Sequence, residues 1–351
     1  MYMKKILFIV DDFYGGGAEK VLLNTASLLQ KNKANVIVYT LRNRIEHSIP
    51  DNIKPLNLAI VNRFTKAISN VFVEKIQASL IYQKILKEAP DVIISCSCDK
   101  ITRHLPDNLN VYYWIHGNIT GFASDNAKSY AKFKRFYNGK KLICVSHGIA
   151  DDIMNNVQAK PLSCQVIYNP FDIAKIQSMA DESIIKPFEK YFIHIGSFEE
   201  RKRHDRLLQA YKLSGIDTPL ILMGKGALRQ KIEMMIDDMG LGNKVTIIDF
   251  QKNPYPYIKA AQALILTSDA EGLPTVLIEA LICHTPVISV DCPSGPAEIL
   301  TGELKKFLCP LNDIQTIAAS LTTQNESPTN IDKSYYQAFS SEETINKFMQ
   351  L

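Results

Sequence analysis

The sequence has no long apolar runs. No stretch reaches the roughly 20 apolar residues that a membrane-spanning helix needs, and the N-terminal segment MYMKKILFIVDD is too short in its apolar part for a secretory signal. That segment also ends on two carboxylates, Asp11 and Asp12, which are untypical of a signal peptide. We therefore expect a cytoplasmic protein without a transmembrane segment.

Paired cysteines are also absent. The seven cysteines of this 351-residue chain are scattered singly, apart from Cys96 and Cys98. One residue separates those two, whereas zinc and redox pairs have two. We expect reduced structural thiols, and since no carboxylate cluster demands an ion, we expect neither a metal nor another cofactor.

A strong charge of either sign is missing as well. The formal net charge of +4 argues against a nucleic-acid partner, and 46% hydrophobic with 22% charged residues is ordinary for a globular protein. Residues 1–168 nevertheless hold 22 Lys and Arg against 13 Asp and Glu. This basic half favours an acceptor that carries phosphate or is attached to lipid.

One basic segment, residues 128–141, interleaves its cations with Tyr130, Phe133, Phe136 and Tyr137. Such a pattern fits a helix lying on an anionic membrane surface, at the inner face of the cytoplasmic membrane. It equally fits a solvated helix face, and both interpretations remain open here.

Short apolar runs alternate with helical patterns in two successive series. Strands are expected in KKILFIV, ANVIVYTL, PDVIISCS, NVYYWIH, KLICVS and CQVIY, then in YFIHIGS, PLILM, KVTIIDF, QALILTSD and TPVISVD. Strand–helix–strand order predicts parallel sheets. We expect an α/β protein with domains at 1–170 and 171–335, and a terminal helix within 336–351 that packs back toward the first domain.

Candidate ligand-binding residues follow these strands, because ligands of open α/β sheets bind beyond the carboxyl ends of the strands. Gly15, Gly16 and Gly17 follow the first strand, but without the G-x-G-x-x-G spacing of dinucleotide sites. They form either a close-approach loop for a ligand or a plain tight turn. Five further strand-end residues are candidates: His116, Ser146, Asn169, Gly224 and Phe250.

The segment EGLPTVLIE is the most informative part of the chain. Pro274 suits the first position of a helix, and Glu271 and Glu279 bracket that helix start. The free N–H groups near Thr275 and Val276 attract phosphate, while carboxylates accept hydrogen bonds from hydroxyls. The segment therefore predicts a site for a phosphate flanked by hydroxyl-bearing groups, as in a nucleotide-sugar.

Three consecutive cations, Arg201, Lys202 and Arg203, stand at another helix start. Cations there oppose the helix dipole unless an anion is present. A diphosphate would supply that anion.

With these motifs the chain resembles the retaining glycosyltransferases of family 4, which have the GT-B fold. The resemblance covers nearly the whole chain and rests on GGGAEK, RKRHDRLLQA and GLPTVLIEALICHTPVISVDCPSGPAEIL, together with His116, Ser146 and Asn169. It implies two Rossmann-like domains facing across a cleft. It also implies metal-independent transfer of a hexose or N-acetylhexosamine from a nucleotide diphosphate sugar, most commonly UDP-linked. The acceptor would be a hydroxyl of a lipid-linked glycan, such as lipopolysaccharide core or a polyprenyl-diphosphate oligosaccharide.

The resemblance also implies roles for particular residues, of which four would be catalytic: Glu271, Lys202, Arg201 and His116. Glu271 would bind hydroxyls of the donor sugar and Glu279 those of the ribose, while Arg201 and Lys202 would neutralise the leaving diphosphate. His116 would contact the transferred sugar. The remaining donor-side candidates are Gly272, Leu273, Pro274, Thr275, Val276, Gly224, Phe250, Asn169 and Ser146, and the glycines at 15–17 would shape the acceptor and phosphate side.

The chain departs from the family pattern at Ser197, Arg203 and His284, where relatives often have Arg, Gly and Gly. Two other functions stay open at this stage. One is a non-catalytic nucleotide-sugar-binding subunit of a glycan assembly complex. The other is a different GT-B enzyme, either an inverting transferase or a phosphorylase.

Overall fold

The computed structural model describes residues 3–14, 17–62, 65, 68, 70–122 and 127–351. The chain divides into two compact units, which are described separately. Unit 1 comprises residues 1–170 and 341–351, and unit 2 comprises residues 171–340. The domain ends expected from the sequence, at 170 and 335, lie beside these divisions.

Unit 1 is built on a parallel sheet. Its described strands are β1 (Lys5–Val10), β2 (Asn35–Thr40), β3 (Leu56–Asn57), β4 (Val92–Cys96), β5 (Val111–Ile115), β6 (Lys141–Cys144) and β7 (Ser163–Val166). Their order across the sheet is β3-β2-β1-β4-β5-β6-β7, and every pairing is parallel. Beside β1 the order reverses, which is where ligands bind in doubly wound sheets.

Helices accompany this sheet. They are α1 (Gly17–Lys31), α2 (Val71–Glu88), α3 (Asp99–Thr102), α4 (Ile119–Phe122), α5 (Ala127–Tyr137) and α6 (His147–Asp151), which continues as a π-helical turn at Asp152–Asn156. The central strands are apolar because both of their faces are covered, and β1 is fully buried from Ile6 to Val10.

Unit 2 repeats the plan with six described strands. They are β8 (Phe192–Ile195), β9 (Leu220–Gly224), β10 (Val245–Asp249), β11 (Ala263–Leu266), β12 (Val287–Val290) and β13 (Leu308–Cys309). Their order is β10-β9-β8-β11-β12-β13, again entirely parallel, so the reversal lies between β8 and β11. The expected α/β class, with two Rossmann-like sheets, is confirmed.

The helices of unit 2 are α7 (Ile173–Ala180), α8 (His204–Ser214), α9 (Arg229–Asp238), α10 (Tyr255–Lys259), α11 (Thr275–Ile282), α12 (Pro296–Ile299) and α13 (Ile314–Glu326), with a 3₁₀ turn at Glu200–Lys202. Helix α7 is the first element of unit 2 and precedes β8. Asp172 caps it by accepting a hydrogen bond from the N–H of Lys175.

The terminal helix α14 (Ser341–Gln350) returns to unit 1 and contacts α1. Its Phe348 is fully buried, with its ring centre 5.2 Å from that of Trp114 on β5 in an edge-to-face arrangement. The last helix is therefore part of the core of unit 1.

Replacing Phe348 by alanine should lower the free energy of unfolding of unit 1 by about 3–5 kcal/mol, because the change removes a buried aromatic ring and leaves a cavity. Trp114 is the only tryptophan in the sequence and lies beside that ring. Its fluorescence during urea unfolding therefore reports on unit 1. The exposed Asn346→Ala change on the same helix is the matched control, and equal midpoints for the two variants would contradict this role of α14.

Candidate functional site

Three of the four predicted catalytic residues meet at the reversal point of the unit 2 sheet. Arg201 and Lys202 follow β8, and Glu271 follows β11. The Lys202 Nζ donates to Glu271 Oε1 at 2.7 Å, and the Arg201 Nη1 lies 3.3 Å from Glu271 Oε2. Because β8 and β11 are neighbours, residues 69 positions apart in the sequence form one charged cluster.

Hydrogen bonds to backbone carbonyl groups hold the two loops of this cluster together. The Arg201 Nη1 donates to the carbonyl of Ala270 at 2.7 Å, and the N–H of Asp269 donates to the carbonyl of Arg201 at 2.9 Å. The Thr267 hydroxyl donates to the carbonyl of Lys202 at 3.1 Å. Positions of the three charged groups are thus set by the ends of two buried strands.

The side chain of Glu271 is 11% exposed, and burial alone raises the pKa of its carboxyl group. The charges of Lys202 and Arg201 outweigh that effect and leave the pKa of Glu271 below its ordinary value. Glu271 is therefore a carboxylate at neutral pH. The cations remain within reach of solvent, since 13% of the Lys202 side chain and 27% of the Arg201 side chain are exposed.

Carboxylates of unit 2 also balance the other cations at the start of α8. Glu199 accepts from the Arg201 Nη2 at 2.7 Å. Asp205 and Asp269 accept from Arg203 at 2.8 and 3.1 Å. Negative charge at this helix start is therefore supplied in part from within unit 2, and the diphosphate expected from the sequence would add to it.

Helix α11 begins one residue later than expected. Pro274 is its N-cap, with φ −71° and ψ 90°, and Thr275 is its first residue. The N–H groups that have no partner within the helix are therefore those of its first turn, which starts with Thr275 and Val276. Gly272, Leu273 and Pro274 are buried and lead into that turn directly from Glu271.

Gly295 supports this loop from the turn after β12. It has φ +94°, and a Cβ there would lie 2.4 Å from the Pro274 Cδ and 3.0 Å from the Gly272 carbonyl oxygen. Only glycine tolerates both that backbone and that proximity. The N–H of Glu271 also donates to the carbonyl of Pro293 at 3.3 Å, so the same turn supports both ends of the loop.

Glu279 lies just over one helical turn inside α11 and is partly exposed. The hydroxyl of Tyr255, the first residue of α10, lies 3.5 Å from Glu279 Oε1. Burial and the neighbouring Glu279 both raise the pKa of Tyr255, so that tyrosine stays a neutral donor. Glu279 therefore has a defined neighbour while its carboxylate remains accessible.

Gly224 and Phe250 lie at the carboxyl ends of β9 and β10. A Cβ on Gly224 would lie 1.9 Å from the Gly196 carbonyl oxygen, so glycine is required for the packing of two adjacent strand ends. Phe250 is 60% exposed, and the Lys225 Nζ lies 5.4 Å from its ring centre. An exposed aromatic ring beside a cation suits stacking against a planar base.

His116 follows β5 in unit 1 and is packed against Trp114, with ring centres 4.4 Å apart. Burial lowers its pKa to about 3, so the imidazole is neutral at neutral pH. Its Nε2 and the Oδ1 of the buried Asn169 lack a hydrogen-bond partner within the described part of the chain. Buried polar atoms of that kind are rare and are candidates for a ligand contact.

Ser146 is explained by the fold itself. Its hydroxyl caps α6 by accepting from the N–H of Ile149 at 3.2 Å. Gly17 is the first residue of α1, and a Cβ there would meet no described atom within 4 Å. Gly15 and Gly16 lie outside the described residues.

Sequence reasoning missed Asp152, a buried carboxylate in the π-helical turn. It accepts hydrogen bonds from the N–H groups of Ile119 and Thr120 at 2.7 and 3.1 Å, just past His116. Asp152 thus organises the loop that follows β5. Asp152 lies in an amphipathic helical pattern, where most acidic residues are exposed. The sequence alone therefore does not distinguish it from an exposed acidic residue.

Two histidines in an edge-to-face contact beside Lys202 were also missed. His194 and His204 are buried with ring centres 4.8 Å apart. Burial, assisted by the neighbouring Lys202, lowers the pKa of His204 to about 4. Burial also lowers the pKa of His194, so both rings are neutral and the cations of this region are Arg and Lys side chains.

Among the described residues, no group of three or more His, Cys, Asp or Glu side chains is placed to hold a metal ion. Within the same residues, no helix is both long enough and apolar enough to cross a membrane.

Comparison with known proteins extends this picture. Residues 15–175 match the family model described as Glycosyltransferase Family 4, and residues 176–338 match that of the glycosyl transferases group 1. The structure of Anabaena Alr3699/HepE in complex with UDP and glucose has the same fold, with a TM-score of 0.76 at 16% identity over 99% of this chain and 98% of that one.

Two relatives illustrate the range of the family. A lipopolysaccharide 1,6-galactosyltransferase of Salmonella typhimurium is 26% identical over 330 residues, which are 86% of this chain and 85% of that protein. An N-acetylgalactosamine-N,N'-diacetylbacillosaminyl-diphospho-undecaprenol 4-alpha-N-acetylgalactosaminyltransferase of Campylobacter jejuni is 29% identical over 181 residues, 52% of this chain. The match spans only about half, 49%, of the Campylobacter protein.

Two doubly wound parallel sheets, with the charged cluster at the reversal point of the second, define the protein class as GT-B. The chain belongs to family 4 of the glycosyltransferases, because the two family models together match residues 15–338. The resemblance to GT-B glycosyltransferases of family 4 is thereby confirmed.

Replacing Gly295 by alanine should displace the loop at Gly272 and Pro274 and destabilise unit 2 by about 2 kcal/mol, because the change combines backbone strain with steric overlap. Hydrogen exchange of residues 271–282 should accelerate. Gly242→Ala is the matched control, since its Cβ would meet only Asp237 Oδ1, at 3.8 Å. Exchange as slow in Gly295→Ala as in the control would show that this contact does not support the loop.

Proposed function

We propose that the protein is a retaining glycosyltransferase that uses a nucleotide diphosphate sugar, UDP-linked, to glycosylate a saccharide hydroxyl of a lipid-linked glycan. The observation that carries the proposal is the cluster of Lys202, Arg201 and Glu271 in the same unit as the start of α11. Glu271 is the last residue before the buried loop that leads into that helix. Cations, a carboxylate and free backbone N–H groups are the groups that bind a sugar diphosphate.

Different residues of unit 2 would bind different parts of the donor. Lys202 and Arg201 bind the diphosphate together with the N–H groups of Thr275 and Val276, and Glu271 accepts hydrogen bonds from hydroxyls of the transferred sugar. Because Glu271 already positions both cations, phosphate binding requires little reorganisation. Glu279 binds the ribose hydroxyls, and Phe250 stacks on the base.

Transfer breaks the bond between the anomeric carbon and the diphosphate oxygen and forms a bond from that carbon to the acceptor oxygen. The acceptor proton passes to the departing phosphate. Lys202 and Arg201 stabilise the negative charge that develops on the diphosphate. The same-face course of attack would retain the anomeric configuration.

The donor and acceptor assignments draw on relatives. The Anabaena structure is a complex with UDP and glucose, and the two relatives are named as transferases for lipopolysaccharide and for a diphospho-undecaprenol saccharide. The basic residues 1–168 fit an acceptor of that kind, which carries phosphate. In unit 1, His116 and Asn169 are the proposed saccharide contacts, because each has an unpartnered buried polar atom among the described residues.

Replacing Lys202 by glutamine should weaken UDP binding about tenfold to a hundredfold, since a charge-assisted hydrogen bond to phosphate is lost. Uridine, which has no phosphate, should bind as well as it does to the wild type. Isothermal titration calorimetry with UDP, UMP and uridine measures both effects. Lys231→Gln is the matched control, because that lysine pairs with the exposed Glu200. An equal loss for UDP and uridine would contradict a phosphate role for Lys202.

The reciprocal variant is Glu279→Gln, which should weaken UDP binding about tenfold through the ribose hydroxyls. It should leave the affinity for a nucleotide that lacks both hydroxyls unchanged. If that dideoxynucleotide loses affinity to the same extent as UDP, Glu279 does not contact the ribose.

Turnover with a UDP-sugar and a saccharide acceptor should give a product whose new bond has the anomeric configuration of the donor. NMR coupling constants of the product establish that configuration. An inverted product would reject the retaining course, and nucleotide binding without turnover on any lipid-linked acceptor would favour a binding subunit.

A further inference from the structure

Helix α2 has two apolar faces. One face packs against the sheet of unit 1: Ala78, Ile81 and Ile85 lie in the core cluster together with Leu7 and Ile93. A helix that serves only to cover a sheet has a polar opposite face. The opposite face of α2 departs from that rule.

The outward face carries large apolar side chains at helical spacing. Phe72 is 71% exposed, Ile76 46%, Leu80 50% and Leu86 54%. Positions 72, 76 and 80 are four residues apart and therefore lie along one stripe. Neither the candidate donor site in unit 2 nor the core of unit 1 explains why these exposed positions are apolar.

The charges beside the stripe have a single sign. Lys75, Lys84 and Lys87 are exposed on the same half of the helix. The acidic residues of α2 lie elsewhere. Glu74 is 2% exposed and is bound by Arg103 at 2.8 Å, and Glu88 is the partly buried last residue. The outward face of α2 thus combines apolar contact with positive charge.

Helix α5, the basic segment that suggested a membrane surface in the sequence, has a different arrangement. Its Phe136 and Tyr137 are 5% and 3% exposed. The Tyr137 hydroxyl donates to Asp99 Oδ2 at 3.1 Å, and the guanidinium of Arg103 lies over the Phe136 ring. These aromatic side chains of α5 are occupied within unit 1.

We propose that the outward face of α2 docks unit 1 onto an anionic lipid bilayer. Phe72, Ile76, Leu80 and Leu86 enter the boundary between headgroups and acyl chains, while the lysine stems lie along the surface with their ammonium groups at the phosphates. Electrostatic attraction to anionic headgroups adds to apolar burial. The proposal concerns a surface of unit 1 and does not rest on donor binding in unit 2.

The charge pattern favours a bilayer over a second copy of the chain. A two-fold contact between two α2 faces would bring Lys75, Lys84 and Lys87 of one copy near the same set of lysines of the other. The exposed half of the helix offers no carboxylate to pair with them. Like charges across such a contact are destabilising, whereas a bilayer containing phosphatidylglycerol supplies the opposite charge.

Co-sedimentation with vesicles tests the proposal. The full chain should bind phosphatidylcholine vesicles containing 30% phosphatidylglycerol much more tightly than pure phosphatidylcholine, and added salt should weaken that binding. Phe72→Ser combined with Leu80→Ser should lower the partition coefficient at least about tenfold. Lys75→Gln and Lys84→Gln should each lower it about fivefold.

The controls are exposed residues of the same types elsewhere. Met234→Ser changes a 65% exposed apolar residue on α9, and Lys132→Gln removes an exposed cation from α5. Trp114 fluorescence checks that each variant is folded, and UDP calorimetry keeps donor binding separate from docking. Absence of vesicle binding, or an equal loss in the controls, would overturn the proposal. So would a wild-type dimer that Phe72→Ser dissociates without a change in vesicle binding.

Discussion

The contact between the Glu271 carboxylate and the Lys202 ammonium is the interaction on which the candidate donor site depends. Burying two charges costs more desolvation energy than their attraction alone returns, so such a pair is poor evidence of stability. Here the ion pair serves to fix the positions of the charged groups. With Arg201 on its other oxygen, Glu271 fixes two cations that would otherwise repel each other at adjacent positions. The cluster remains organised before any ligand arrives.

Close backbone contacts fix the strand ends and loops around the charged cluster. Gly224 approaches the Gly196 carbonyl and Gly295 approaches Pro274 at distances that exclude a Cβ. The first contact joins the ends of β8 and β9, and the second joins the turn after β12 to the loop before α11. The candidate donor site is thus built where four neighbouring strands end, and its precision comes from main-chain packing more than from side-chain length.

The sequence predicted the strands well because their apolar runs are continuous and their helices alternate regularly. It placed Glu271 and Lys202 correctly at strand ends, yet it could not join them, because their contact depends on β11 being inserted beside β8. Short or ambiguous elements were harder. Strand β3 has two exposed residues, and the two-faced pattern of α2 lacks the clear amphipathic signature of a surface helix. The start of α11 was misplaced by one residue because proline suits both positions.

The hydrogen bonds in the structure distinguish three candidate residues that the sequence alone could not rank. Ser146, His116 and Asn169 all follow strands of unit 1, and the sequence predicted a ligand contact for all three. The hydroxyl of Ser146 already caps α6, which is a sufficient reason for its identity. His116 Nε2 and Asn169 Oδ1 have no such partner among the described residues, and an unpaired buried polar atom costs free energy. A structural role accounts for the first residue but not for the other two. The saccharide contacts that we propose for unit 1 are therefore better sought at His116 and Asn169 than at Ser146.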